Sequence, residues 1–201
     1  MKNNKNAPSN GYMLLALFGG GIFLITTFLA IWGRADNLDL QWFEAIYRMD
    51  YFHPSYWFVV TQLGSIFALI IATLIAWIAR KTKIALMLAG SGLISYCVCW
   101  VVKEIIARPR PYVLLPSIQS HDWSAVGYGY PSAHAAVTAS IVFVLYPLVK
   151  KPYRPLLLIP LVMVALSRIF LGVHTPLDVI GGAAVGAGVV GAMEYFMNKK
   201  A

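Results

Sequence analysis

From Gly11 to Gly33 the chain carries no charged residue, and Tyr56 to Ala79 repeats the pattern. Runs of this length match the roughly 20 apolar residues a helix needs to cross a bilayer. In hydrocarbon no water satisfies the backbone, so a segment must close its own N–H and C=O groups, which a helix does. Four more runs follow: Ile84 to Val102, Pro131 to Val149, Pro155 to Val173 with Arg168 near its end, and Pro176 to Phe196. The chain therefore reads as all-α, a polytopic membrane protein of six transmembrane helices forming one integral-membrane domain over residues 1–201. Composition agrees, with 59% hydrophobic and 12% charged residues, against about 25% charged in soluble domains. The first run follows Lys2 and Lys5 as a signal peptide would, but it exceeds a signal core and no A-x-A site follows, so it is read as a retained span.

Lys and Arg gather on the cytoplasmic side of membrane proteins. With alternating spans, Lys2, Lys5, Arg80, Lys81, Lys83, Lys150, Lys151, Arg154, Lys199 and Lys200 share one side with almost no acid. Arg34, Arg48, Lys103, Arg108, Arg110 and Arg168 share the other, mixed with Asp36, Asp39, Glu44, Asp50, Glu104, Asp122 and Asp178. Both termini are expected in the cytoplasm, with loops 34–55 and 103–130 outside. The net charge of +8 then reads as topology signal and complement to an anionic substrate. No basic helix or RNA-binding aromatic motif points to nucleic acid.

Residues 38–49 place Leu38, Trp42, Phe43 and Ile46 near one helical face, the pattern of a helix lying at the interface. Trp32, Trp42 and Trp57 fit an aromatic belt. Glycines 181, 182, 186, 188 and 191 fit close helix packing in the last span. Cys97 and Cys99 are two apart, on different helix faces, and read as small buried apolar residues without a disulfide or shared metal.

The outward ends of the last four spans hold Lys103 and Arg110 in KEIIARPRP, Ser132 and His134 in YPSAHA, and Ser167, Arg168, His174 and Asp178 in SRIFLGVHTPLD. Ionisable groups at membrane depth are costly and mark function by default. Three cations with few partner acids suit a phosphate oxyanion. Tyr130 to His134 opens a helix, whose free N–H groups and dipole favour phosphate, and Ser132 adds a hydroxyl donor. His174 and Asp178, four apart, lie on one helical face. A carboxylate on one imidazole nitrogen fixes the tautomer and makes the other more basic, as a histidine nucleophile or base requires. His134 is placed to protonate a leaving oxygen. Thr175-Pro176-Leu177-Asp178 also reads as a helix start, with a proline at N1 and an acid at N3, and capping is compatible with a catalytic role. Arg108 is read as snorkelling to the head groups, Glu104 as pairing with a neighbouring cation, Ser167 as a supporting residue, and His53 and His121 as loop or interface residues.

These segments resemble the type 2 phosphatidic acid phosphatase superfamily, which also contains vanadium haloperoxidases. Its pattern, K-x6-RP, PSGH and SR-x5-H-x3-D, is met by Lys103 to Arg110-Pro111, by Pro131-Ser132-Ala133-His134, and by Ser167-Arg168, His174 and Asp178. The match lies within residues 103–186, with Ala133 replacing the usual glycine. If that position needs only its backbone N–H, alanine supplies it; if it needs φ > 0, alanine costs energy.

The resemblance implies His174 as nucleophile, Asp178 as its orienting partner, and His134 as acid and then base. It implies a phosphate cradle of Lys103, Arg110, Ser132, Ala133 and Arg168, and chemistry with no metal and no cofactor. The expected activity is hydrolysis of a lipid phosphate in the cell membrane. Family substrates are phosphatidylglycerophosphate, polyprenyl diphosphates such as undecaprenyl diphosphate, and phosphatidic acid; the first and last tie the family to phospholipid metabolism and the second to lipid-carrier recycling. Transfer of the phosphate to another lipid or sugar acceptor is the alternative. The expected partners are the lipid phosphate and membrane lipids, with no nucleic acid.

Overall fold

A computed structural model of the chain describes residues 10–33, 36–50 and 52–199. Lys2, Lys5, Arg34 and Lys200, used above for orientation, lie outside the described residues. The described elements are all helical.

The first run is a single helix, α1 (Asn10–Trp32). α2 (Asp36–Tyr47) is the expected short helix of the first outward loop. The second run is broken into α3 (Pro54–Thr61), a 3-10 turn (Gln62–Gly64) and α4 (Ile66–Ile78), bent by 47°. Two residues make the break. Ser65 is extended, and its Oγ accepts the Ala68 N–H at 3.3 Å, which starts a new helix. Gly64 sits so close to the His134 backbone that a Cβ would stand 2.7 Å from its carbonyl oxygen.

α5 (Thr82–Ile106) runs a turn beyond its apolar stretch and carries Lys103 in its last turn. Ala107 ends it in the left-handed region at φ 51°, donating its N–H to the Lys103 carbonyl at 2.9 Å. Pro109 then forbids helix, and a single turn, α6 (Pro111–Leu114), follows. α7 (Ala133–Leu145) tightens into a 3-10 turn ending at Leu148. A second 3-10 stretch (Lys151–Leu157) leads into α8 (Leu158–Phe170), and α9 (Pro176–Lys199) closes the fold.

Helical stretches beginning at Asn10, Thr82, Lys151 and Pro176 are long and apolar enough to cross a membrane, and the bent α3–α4 pair makes a fifth. Of the six expected spans, Ala133–Leu148 is the short one, about 24 Å at 1.5 Å per residue. The outer surface is apolar: Phe18, Phe67 and Ile78 are 67%, 69% and 79% exposed, as suits side chains solvated by lipid.

α9 is the central helix, with α1, α5 and α7 packed on it. Its glycines permit this, as expected. A Cβ on Gly186 would lie 2.8 Å from the Ala139 Cβ, and one on Gly191 would lie 2.9 Å from the Ala16 Cα. Between helices in lipid, such close approach supplies the dispersion energy that water-driven burial does not.

Three expectations are corrected. The supposed single face of α2 is split: Phe43 and Ile46 pack against Ile118 and Ile169, while Leu38 and Trp42 point outward. Trp57 is not in an outer belt but buried, 4.6 Å from the Phe170 ring, because the bend lays α3 on α8. Of the two free cysteines, Cys99 is buried and Cys97 is exposed.

Candidate active site

The polar ends of α5, α7 and α8 and the α8–α9 link converge with loop 124–128 on one cavity of about 340 Å³. Lys103, Arg110, Ala133, His134, Arg168 and His174 line it. Ser132 and Asp178 are fully buried. The Ser132 N–H donates to the Asp178 carbonyl at 2.9 Å, tying the start of α7 to the start of α9.

Gly172, at φ 75°, ends α8 and turns the chain so that the His174 N–H reaches the Arg168 carbonyl at 3.2 Å. Asp178 Oδ2 accepts the Thr175 N–H at 3.0 Å, and Thr175 Oγ1 accepts the Asp178 N–H at 3.4 Å, a reciprocal cap on α9. The same Oδ2 lies 3.3 Å from His174 Nδ1. Capping and orientation of the imidazole therefore coexist in one carboxylate. These partners assign the proton to Nδ1 and leave a lone pair on Nε2. Arg110 Nη1 faces Nε2 at 3.3 Å. Burial, reinforced by the charges of Arg110, Lys103 and Arg168, holds His174 well below the ordinary histidine range. Its imidazole is neutral at physiological pH, the nucleophilic form.

Lys103 Nζ donates to the Tyr128 and Gly129 carbonyls at 2.9 and 2.8 Å. Arg110 donates to the Gly127, Val126 and Val173 carbonyls, each at 3.0 Å. Two cations thus hold loop 126–129 as a wall of the cavity. Arg168 donates through Nη1 to Asp122 Oδ2 at 2.8 Å and to Thr61 Oγ1 at 3.0 Å. Among the described residues, two buried donors here have no partner, Arg168 Nε and Ser132 Oγ. Ala133 is the first residue of α7, and the left-handed non-glycine residues described are Arg80 and Ala107. The position needs no glycine backbone, so alanine carries no strain there. His134 also lines a neighbouring cavity of about 200 Å³ with Gln62, Ser65 and Tyr96. Among the described residues, no three His, Cys, Asp or Glu side chains are grouped to hold a metal.

Arg108 does not snorkel. It is 5% exposed, and donates to Asp178 Oδ1, Thr175 Oγ1 and Asp39 Oδ2, each at 2.8 Å. The signal was the Arg-Pro-Arg-Pro stretch: a residue before proline is held extended, and side chains two apart on extended backbone point the same way. Both arginines accordingly reach the His174–Asp178 pair. Asp39, Asp122 and Thr61 were missed, since none belongs to a local pattern. Burial alone would raise the Asp122 carboxyl, but Arg168 and the Ser124 hydroxyl and N–H hold it below the usual range. Ser167 Oγ donates to the Val164 carbonyl at 2.7 Å within its own helix. His53 caps α3, accepting the Ser55 N–H at 3.3 Å. Glu104 is exposed at the cavity rim.

A sequence profile of the PAP2 superfamily matches residues 81–201. An undecaprenyl-diphosphatase of Sulfolobus acidocaldarius is 30% identical over 142 residues, which are 71% of this chain and 64% of the archaeal protein. A decaprenylphosphoryl-5-phosphoribose phosphatase of Mycobacterium tuberculosis is 34% identical over 126 residues, 62% of this chain and 68% of that protein. The crystal structure of LpxE from Aquifex aeolicus superposes with a TM-score of 0.69 at 25% identity, covering 78% of this chain and 94% of its own. A PAP2-type phosphatidylglycerolphosphate phosphatase of Bacillus subtilis shares the fold, with a TM-score of 0.71 at 23% identity over 91% of this chain and 96% of its own.

Proposed function

Because the chain belongs to the PAP2 superfamily, we propose that it is a membrane lipid phosphatase that works through a phosphohistidine on His174. The observation that carries this reading is the pair of buried donors without a partner among the described residues, Ser132 Oγ and Arg168 Nε, beside a neutral His174 whose Nε2 lone pair faces Arg110 Nη1. Native proteins leave few such groups, and each needs an account. A phosphate bound at the start of α7 gives one. Its oxygens would take Ser132 Oγ, Arg168 Nε and the N–H groups of the first turn, while Lys103 and Arg110 supply further charge.

The chemistry follows from the geometry. A phosphate oxygen is a stronger partner for Arg110 than the imidazole, so binding frees Nε2 to attack phosphorus. The N–P bond forms as the bond to the leaving oxygen breaks. Asp178 stabilises the positive charge that develops on the ring. His134 donates a proton to the leaving oxygen, then takes one from the water that hydrolyses the phosphohistidine.

The cavity is also lined by Tyr96 and Trp100, which face outward from α5 and are 43% and 61% exposed. That suits a substrate whose tail stays in the bilayer while its phosphate enters between helices. Two of the relatives are named for polyprenyl phosphates, and undecaprenyl diphosphate is the leading substrate, with phosphatidylglycerophosphate and phosphatidic acid beside it. Six crossings, with the site on the outer side, complete the reading.

Phosphate release from these three lipids, by detergent-purified protein in EDTA, tests it. We expect release that survives EDTA and falls on the order of 10³-fold or more in His174→Ala. Release that the substitution leaves intact overturns the nucleophile, and release that needs added metal overturns the metal-free route.

A further inference from the structure

A carboxylate that orients an imidazole must itself be kept from rotating. Asp178 Oδ2 takes His174 Nδ1 at 3.3 Å and the Thr175 N–H at 3.0 Å. Its other oxygen, Oδ1, is taken by Arg108 Nη1 at 2.8 Å. Arg108 is held in turn by Asp39 Oδ2 at 2.8 Å. The second Asp39 oxygen accepts the N–H of Leu177, the residue before Asp178, at 2.9 Å. The bonds close a ring: Asp39 to Arg108, Arg108 to Asp178, and the backbone N–H of Leu177, covalently next to Asp178, back to Asp39.

We propose that Arg108 and Asp39 are positioning residues for the nucleophile, fixing the Asp178 carboxylate and through it the direction of the His174 Nε2 lone pair. This rests on the phosphatase reading above. Neither residue lines the cavity. Both are buried, at 5% and 8% exposure, behind a fully buried Asp178. Asp39 comes from α2, none of whose described side chains lines the cavity, so the ring is how that helix reaches the reaction centre. Two buried carboxylates share one guanidinium, which donates to both in a fixed fork, a geometry that an ammonium cannot reproduce. In-line attack tolerates little misalignment, and a shift of about 1 Å in a reacting group costs on the order of 10²-fold in rate.

The test is a set of double-mutant cycles on the full-length protein in detergent. Arg108→Gln and the isosteric Asp39→Asn are each made in the wild-type and the Asp178→Asn backgrounds. Inhibition by inorganic phosphate reports whether the cradle is intact, and Asp39→Asn carries the test should Arg108→Gln fail to fold. We expect each single variant to lose roughly 10- to 100-fold in kcat, with KM and phosphate inhibition within about threefold of wild type. In the Asp178→Asn background the further loss shrinks to about twofold, since the residues act through that carboxylate. Arg108→Lys recovers part of the rate. Equal fold losses in both backgrounds, or kcat within about twofold of wild type for both variants, overturn the assignment while leaving the phosphatase reading in place. A wild-type protein that releases no phosphate, or a His174→Ala variant that releases it normally, overturns both.

Discussion

At 2% exposure Arg168 has no water to solvate its charge, and the Asp122 carboxylate at 2.8 Å takes that part. Removing one member of a buried ion pair costs about 3–5 kcal/mol, because the other is left charged in a poor solvent. Asp122→Asn keeps the shape and deletes the charge, and thermal unfolding in detergent should show a penalty of that order at neutral pH. The pH dependence gives the sign. Asp122 is held below its ordinary value in the folded state, so its contribution is complete above the unfolded pKa of about 3.9 and is lost as pH falls through that value towards the folded one. The gap in Tm between wild type and variant should therefore be widest above about pH 5 and close on acidification. A gap that persists unchanged at low pH would mean Asp122 acts by packing alone. The pair also marks what a sequence can disclose at this scale. Lys103, Arg110, His134, Arg168, His174 and Asp178 were legible because their chemistry and spacing are local, and they do come together. Asp122, Asp39 and Thr61 were not, because each is brought to its cation from more than 45 residues away by the path of the chain.

Helices were legible as uncharged runs, but where they touch was not. α7 and α9 meet at Gly182, where an added Cβ would collide with the Ser132 carbonyl oxygen and lie 3.0 Å from the Ser132 carbonyl carbon. Both are backbone atoms, so nothing can yield short of moving the start of α7, which carries Ser132, Ala133 and His134. Gly182→Ala should destabilise by about 1–3 kcal/mol, as overpacking does, and should lower phosphate release beyond its effect on Tm. Gly20 on α1 has open space around its α-carbon. Gly20→Ala should raise stability by up to about 1 kcal/mol through helix propensity and leave activity unchanged. Equal behaviour of the two variants would show that the α7–α9 approach does not set the site. The same reasoning explains the break inside the second run. Its composition is uniformly apolar, and the bend is imposed by Gly64 meeting α7, a contact no pattern within the run could announce. The split face of α2 has the same origin: its buried side is chosen by Ile118 and Ile169, which lie far away in the sequence.

The whole molecule has two ends that differ in charge. Away from the site, Lys83 Nζ donates to Asn198 Oδ1 at 3.0 Å, and Tyr12, Leu148 and Glu194 surround the same cavity. The segments around Lys83, Lys150 and Lys199 therefore share one end, opposite the cluster of Arg108, Arg110, Arg168 and Asp122. Clustered Lys and Arg mark the cytoplasmic face, so the basic end should be inside and the cavity outside. Cysteine labelling in intact cells tests this. In a Cys97→Ser, Cys99→Ser background, cysteine is introduced by Trp123→Cys in the site-end loop, where the side chain is 85% exposed, or by Lys150→Cys at the basic end. A membrane-impermeant maleimide should label the first variant directly and the second only after permeabilisation. Lipid phosphate presented to sealed vesicles should then be hydrolysed from the face on which position 123 is labelled. The reverse labelling pattern would place the site in the cytoplasm and remove substrates released outside the cell from consideration. Labelling of both positions from one side would instead break the six-crossing reading at its shortest span, Ala133–Leu148, leaving that helix as one that enters the membrane and does not cross it.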